Sequence, residues 1–109
     1  MHALDILGDP VRRRILELLA AGECGAGAIS DAVRQEYPIS HPAVSHHLRV
    51  LRENGFATVR AEGTRRLYAV DSAGMRQADE WLERFRHLWQ TRLDALDTEI
   101  ARGKRERRS

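Results

Sequence analysis

A chain of 109 residues, 31% charged and 42% hydrophobic, has room for one soluble domain around one modest core. No run of about eighteen apolar residues occurs, which argues against a membrane-spanning helix. Met1-His2-Ala3-Leu4-Asp5 has no basic stretch leading into an apolar one, so a cytoplasmic location is expected. Cys24 is the only cysteine, which excludes an internal disulfide and a multi-thiolate metal site within one chain.

The net charge is only +2, but it is unevenly spread. Residues 1 to 39 carry four basic and six acidic side chains, and residues 72 to 101 carry the same balance. Residues 40 to 70 carry five basic and two acidic ones with three of the five histidines, and residues 102 to 109 carry five and one. Positive charge gathered in the middle and at the end is the pattern of a local nucleic-acid face. Seventeen of the eighteen basic residues are Arg, whose fork matches phosphate and guanine edges, although a GC-rich genome gives the same bias.

In chain order, Asp9-Pro10 signals a helix start, with Asp as cap and Pro in the first turn. Val11, Ile15, Leu18 and Leu19 recur at helical spacing before Ala20-Ala21-Gly22 closes that helix. Residues 23 to 27 read as a loop. A short helix is predicted from about Ala28 to Gln35, burying Ile29, Ala32 and Val33, and Tyr37-Pro38 breaks it. Ser40 caps the next helix, which has Pro42 in its first turn and Val44, Leu48 and Leu51 as its inner stripe, and Asn54-Gly55 ends it. Two strands, Phe56 to Ala61 and Arg66 to Val70, flank the turn Glu62-Gly63-Thr64-Arg65. Asp71-Ser72 then caps a long helix from about Ala73 to near Arg102. Residues 1–102 are thus expected to form one domain, and 103–109 a basic, disordered tail. That tail, with Arg102, Lys104, Arg105, Arg107 and Arg108, either adds nonspecific phosphate contacts or is simply a solvated end.

The two middle helices, joined by a short turn and followed by an arginine-tipped hairpin, form a unit that can lay its second helix in a major groove while the first braces it. With Val44, Leu48 and Leu51 inside, His41, Ser45, His46, Arg49 and Arg52 fall on outward or flanking positions where they can reach base edges or phosphates. Arg65 and Arg66 sit where a wing touches backbone or minor groove. The fold class this predicts is mainly α with a small β-hairpin, a winged helix-turn-helix.

Three stretches resemble the ArsR/SmtB family. Residues 9–19 (Asp-Pro-Val-Arg-Arg-Arg-Ile-Leu-Glu-Leu-Leu) are similar to its opening helix, residues 39–55 to its recognition helix, and residues 63–68 (Gly-Thr-Arg-Arg-Leu-Tyr) to its wing. The resemblance covers about residues 3 to 100. It implies a dimeric winged helix that represses transcription from an operator and is usually released by a ligand or metal. It also implies DNA contacts by Ser40, His41, Ser45, His46 and Arg49, with Pro42 in the same turn and Arg65 and Arg66 on the wing.

The metal-sensing branches are not matched. Where arsenic sensors carry paired cysteines this chain has Gly25 and Gly27, and glycine offers no soft donor. Where zinc sensors carry carboxylate and His ligands it has Ser72, Gly74, Phe85 and Leu88, and a one-residue slip gives Asp71, Ala73, Arg84 and His87 with only two donors. No metal or other cofactor is expected. Adjacent His46 and His47 diverge by about 100° on a helix, a poor chelating geometry. Cys24 is either a redox switch between protomers or a loop residue without a role.

The last helix shows two apolar lines. Met75, Ala78, Leu82, Phe85, Trp89 and Leu96 make one, and Trp81, Leu88 and Ala95 the other, with Leu93 and Ile100 extending the surface. One line is expected to cover the domain's own core and the other to meet a second copy. Leu4, Trp81, Phe85, Leu88 and Trp89 are assigned to that homodimer interface, and Trp81, Phe85 and Trp89 resemble the family branch that includes autorepressors. The expected partners are therefore double-stranded DNA with a palindromic operator and a second copy of the chain, an unknown small-molecule inducer being left open. A repressor with an unrecognised effector site and a winged-helix protein-interaction module are the competing readings. An enzyme is not expected, because no nucleophile–base motif, phosphate-binding glycine loop or paired carboxylates stand out.

Overall fold

The computed structural model describes the backbone of residues 1–108 and the side chains through Gly103. The elements are α1 (Ala3–Leu7), α2 (Pro10–Ala20), β1 (Cys24–Gly25), α3 (Ala26–Glu36), α4 (His41–Glu53), β2 (Ala57–Glu62), β3 (Arg65–Val70) and α5 (Ser72–Arg108). They divide into a compact unit, Met1–Ala78, and a second unit that begins at Asp79 within α5.

The helix starts follow their caps. Asp9 accepts from the Val11 and Arg12 N–H groups at 2.8 and 3.1 Å, with Pro10 in the first turn of α2. Helix α1 was not anticipated. It is held by His2 Nδ1, which accepts from Leu4 N, and by Asp5, whose carboxylate accepts from His2 N at 2.9 Å. At five residues it is too short to show a helical period.

Two boundaries differ from expectation in the same place. Residues 23 to 27 are not all loop, because Cys24 and Gly25 form β1 and pair antiparallel with Tyr68 and Leu67. The hairpin is therefore part of a three-stranded sheet in the order β1-β3-β2. Helix α3 starts at Ala26, two residues before the expected Ala28. The wing turn is tight: Glu62 pairs with Arg65, leaving Gly63-Thr64 as the loop. Gly63 sits at φ +61°, as the first position of a type II′ turn requires.

The core of the first unit is built from Ile6, Ile15, Ile29, Val33, Val44, Leu51 and Phe56, all essentially inaccessible. Val44, Leu48 and Leu51 are buried as the α4 periodicity predicted. Phe56 is the largest fully buried side chain and locks the chain on both sides. Its N–H bonds Leu51 O, its carbonyl accepts from Asp71 N, and Gly74 N donates to Gly55 O at 2.7 Å. Gly74 is consequently pressed onto the Phe56 ring, where an added Cβ would lie 2.5 Å from the nearest ring carbon.

Helix α5 runs through Arg108, beyond the end expected near Arg102. The side chains of Lys104, Arg105, Arg107 and Arg108, on which the tail's phosphate role rests, lie outside the described residues.

Gly74→Ala should therefore destabilise the protein by about 2 kcal/mol or more, because a packed ring must move to admit one methyl. Gly27→Ala, in α3 with open space around it, should be neutral or stabilise by about 0.5 kcal/mol. Urea unfolding of the two variants checks this, and equal midpoints would refute the packing argument.

Candidate nucleic-acid interface

Helix α4 has one side in the core, so the rest of its surface is presented outward. Ser40 is its N-cap, with Oγ accepting from Ala43 N at 3.3 Å. Pro42 occupies the first turn and is exposed. The His41 ring nitrogen Nδ1 is hydrogen-bonded to the hydroxyl of Ser30, a buried residue of α3. Arg34 Nε donates to Ile39 O at 3.1 Å, closing the turn between the two helices. Ser40 and His41 thus fix the start of the helix as well as lying at its exposed end.

Ser45, His46, Arg49 and Arg52 are all exposed. Arg49 Nη2 lies 3.0 Å from His46 Nδ1, one turn away, so these two side chains form a ready-made pair on the outer surface. His47 differs from its neighbour. It is half-buried against α2, with Nδ1 3.4 Å from Arg12 Nη1, and is not a free surface histidine.

On the wing, Arg65 and Arg66 are exposed. Arg60 of β2 is held by Glu23 at 2.6 Å and Glu62 at 3.2 Å, and the Glu23 carboxyl is held below its usual range by the Arg60 hydrogen bond. Among the described residues no carboxylate pairs with Arg49, Arg52, Arg65 or Arg66. The cations of the recognition helix and wing are thereby left available to phosphates.

A cleft of about 460 Å³ opens between the wing and the start of α3, lined by Gly25 to Ala28, Thr64, Arg65 and Arg66. Gly25 is the N-cap of α3 and supplies no capping side chain. The first N–H groups of that helix therefore lack a side-chain acceptor from the cap, and Arg65 and Arg66 line the same cleft. Arg65 reaches to 3.3 Å from where a Gly25 Cβ would stand, so the glycine makes room for it. In the sequence, the signal for this cleft is a helix start without Ser, Thr, Asp or Asn.

Cys24 is half-buried in β1 opposite Tyr68. Among the described residues no group of three or more His, Cys, Asp and Glu side chains is placed to hold a metal ion. No helix among them is long and apolar enough to cross a membrane.

Leu4 is half-buried and packs on the core of the first unit. In the second unit the Trp81 and Phe85 rings pack at a tilt of 46° with centroids 4.8 Å apart. Trp81, Leu82, Phe85, Leu88, Trp89, Leu93, Leu96 and Ile100 all remain at least one-third exposed. The expectation that one apolar line covers the protein's own core holds only at Ala78; Met75 and the apolar residues after Ala78 on both lines are exposed.

Comparison with known proteins agrees with this geometry. A helix-turn-helix domain family matches residues 7–60. The chain is 39% identical over 84 residues to the HTH-type transcriptional regulator Rv2034 of Mycobacterium tuberculosis, covering 77% of this chain and 75% of that one. It is 30% identical over 79 residues to the transcriptional repressor SdpR of Bacillus subtilis, covering 72% and 83%. Among solved structures, a candidate transcriptional regulator for arsenical resistance superposes with a TM-score of 0.68 at 33% identity, covering 91% of this chain and 96% of that one. The homodimeric winged helix-turn-helix domain of Mb0332 from Mycobacterium bovis, a candidate ArsR-family regulator, gives 0.58 at 28% identity, covering 79% and 78%. This chain belongs to the ArsR family of winged helix-turn-helix, DNA-binding transcriptional regulators, and is not an enzyme.

Proposed function

We propose that the protein is a cytoplasmic, homodimeric repressor that binds a palindromic operator. The observation that carries the reading is the set of cations that have no carboxylate partner among the described residues, Arg49 and Arg52 on α4 and Arg65 and Arg66 on the wing, in a chain whose other surface arginines include several tied to carboxylates. Ser45, His46 and Arg49 read base edges in the major groove. Ser40, His41 and Pro42 set the helix end against the backbone. Arg65, Arg66 and the uncapped start of α3 take phosphates or the minor groove beside them.

The open apolar lines of α5 supply the dimer. Trp81, Phe85, Leu88 and Trp89 pack against a second copy, and Leu4 contributes from α1. A two-fold pair of protomers matches a palindromic site whose half-sites lie in successive major grooves, about 34 Å apart. Repression of its own promoter or of an adjacent operon fits the kinship with a named repressor. A promoter fusion unchanged by deletion of the gene would count against autoregulation.

Arg49→Ala should lower affinity for the cognate site by about tenfold or more and leave random-duplex binding nearly unchanged, as loss of a base contact does. Arg65→Ala should weaken both duplexes alike and reduce the salt slope by about one. Fluorescence anisotropy across a salt series separates these, and equal loss on both duplexes for Arg49→Ala would remove it from base reading. Insensitivity to both substitutions would favour a protein-interaction role.

Trp81→Ala combined with Phe85→Ala should shift the protein toward monomer in analytical ultracentrifugation and weaken operator binding in parallel. A wild-type protein already monomeric at micromolar concentration would refute the dimer.

A further inference from the structure

Arg12 joins three elements at one point. Its Nε donates to Ile6 O at 2.9 Å and its Nη2 to Asp5 O at 3.2 Å, both at the end of α1. Its Nη1 points at His47 Nδ1 on α4, 3.4 Å away. A guanidinium only donates, so this contact needs an unprotonated Nδ1 on His47. The ionisable groups facing the imidazole are Asp9, the N-cap of α2, Arg12 of α2 and His46 of its own helix.

We propose that Arg12 and His47 are positioning residues that hold the recognition helix against α1 and α2, and that protonation of His47 releases this hold and weakens DNA binding. The inference rests on α4 being the DNA-reading helix. Protonation removes the acceptor from Arg12 and sets two cations side by side. It also attracts Asp9, whose carboxylate is engaged in capping α2 through the Val11 and Arg12 N–H groups. The one proton therefore loosens the lateral contact, and the attraction of Asp9 offsets only part of that loss.

The electrostatics favour the neutral ring. Burial pushes the His47 pKa below its usual value, Asp9 opposes that, and Arg12 and His46 add to it. With the folded-state value depressed, the associated stability is fully present above about pH 6.5 and is lost as pH falls from there through the folded-state value. Asp9 works in a separate, more acidic window. Burial raises its carboxyl, but the Arg12 and Val11 N–H groups and the charges of His47 and Arg12 bring it net below the ordinary 3.8.

The test uses the full chain and His47→Gln, whose amide oxygen can still accept from Arg12 but does not titrate. Binding to a fluorescent duplex of the gene's own upstream region and to a random duplex is measured from about pH 8 to about pH 5.5, with thermal melts alongside. The two proteins differ only at position 47, so the ratio of the two affinities isolates His47. The expected result is a wild-type affinity that falls about threefold or more relative to His47→Gln on acidification, with the wild-type melting temperature falling more steeply over the same range. The direction is diagnostic, because the extra positive charge on wild-type His47 would by itself strengthen DNA binding. A constant affinity ratio with parallel melts overturns the proposal. Diverging melts with a constant affinity ratio make the pair a stability element only and overturn the positioning role. Failure of both proteins to bind either duplex at any pH would sink the DNA reading itself, while the melts would still decide whether Arg12 and His47 are coupled.

Discussion

Burial of Val44, Leu48 and Leu51 beneath α2 and α3 fixes what the outer side of α4 can present. Each of these side chains is at most 3% exposed, and each contributes about 1.5–3 kcal/mol by leaving water. Because a helix turns about 100° per residue, holding this stripe inside places Ser45, His46, Arg49 and Arg52 outside without any further instruction. The same commitment turns His47 inward to α2. The surface proposed to meet DNA is thus the complement of the hydrophobic one.

Polar contacts refine that placement and do not replace it. The Ser40 cap, the Ser30–His41 bond and the Arg34–Ile39 bond set where α4 begins, and Phe56 with Gly74 anchors the chain that leaves it. The ion pairs Arg14–Glu36 and Arg60–Glu23 join separate elements, yet both lie in solvent and are screened there, so they contribute little to stability. Their role is better seen as consuming charge: what they neutralise cannot compete for DNA, and what stays unpaired can.

Much of this was legible in the sequence because helical period and punctuation agreed. Asp9-Pro10, Ser40 with Pro42, and Asn54-Gly55 mark helix ends, and the α4 stripe is unambiguous at a period of 3.6. The features that escaped are those whose cause is not local. The β1 strand is two residues long and exists through its pairing with β3, so no alternation could announce it. His47 is identical in kind to His46, and only the position of Arg12, thirty-five residues away, separates an anchoring histidine from a surface one. The cleft at the start of α3 depends on glycines whose value lies in what they omit.

The account stands or falls on whether the outward face of α4 reads sequence. The direct measurement is the affinity of the purified protein for DNA from its own upstream region against a random duplex, by fluorescence anisotropy over a salt series. The account predicts nanomolar binding to the cognate site with a preference of about 10³-fold or more, retained as salt rises. Equal, weak and steeply salt-dependent binding to both duplexes would contradict it, because the unpaired arginines would then be doing no more than neutralising phosphate.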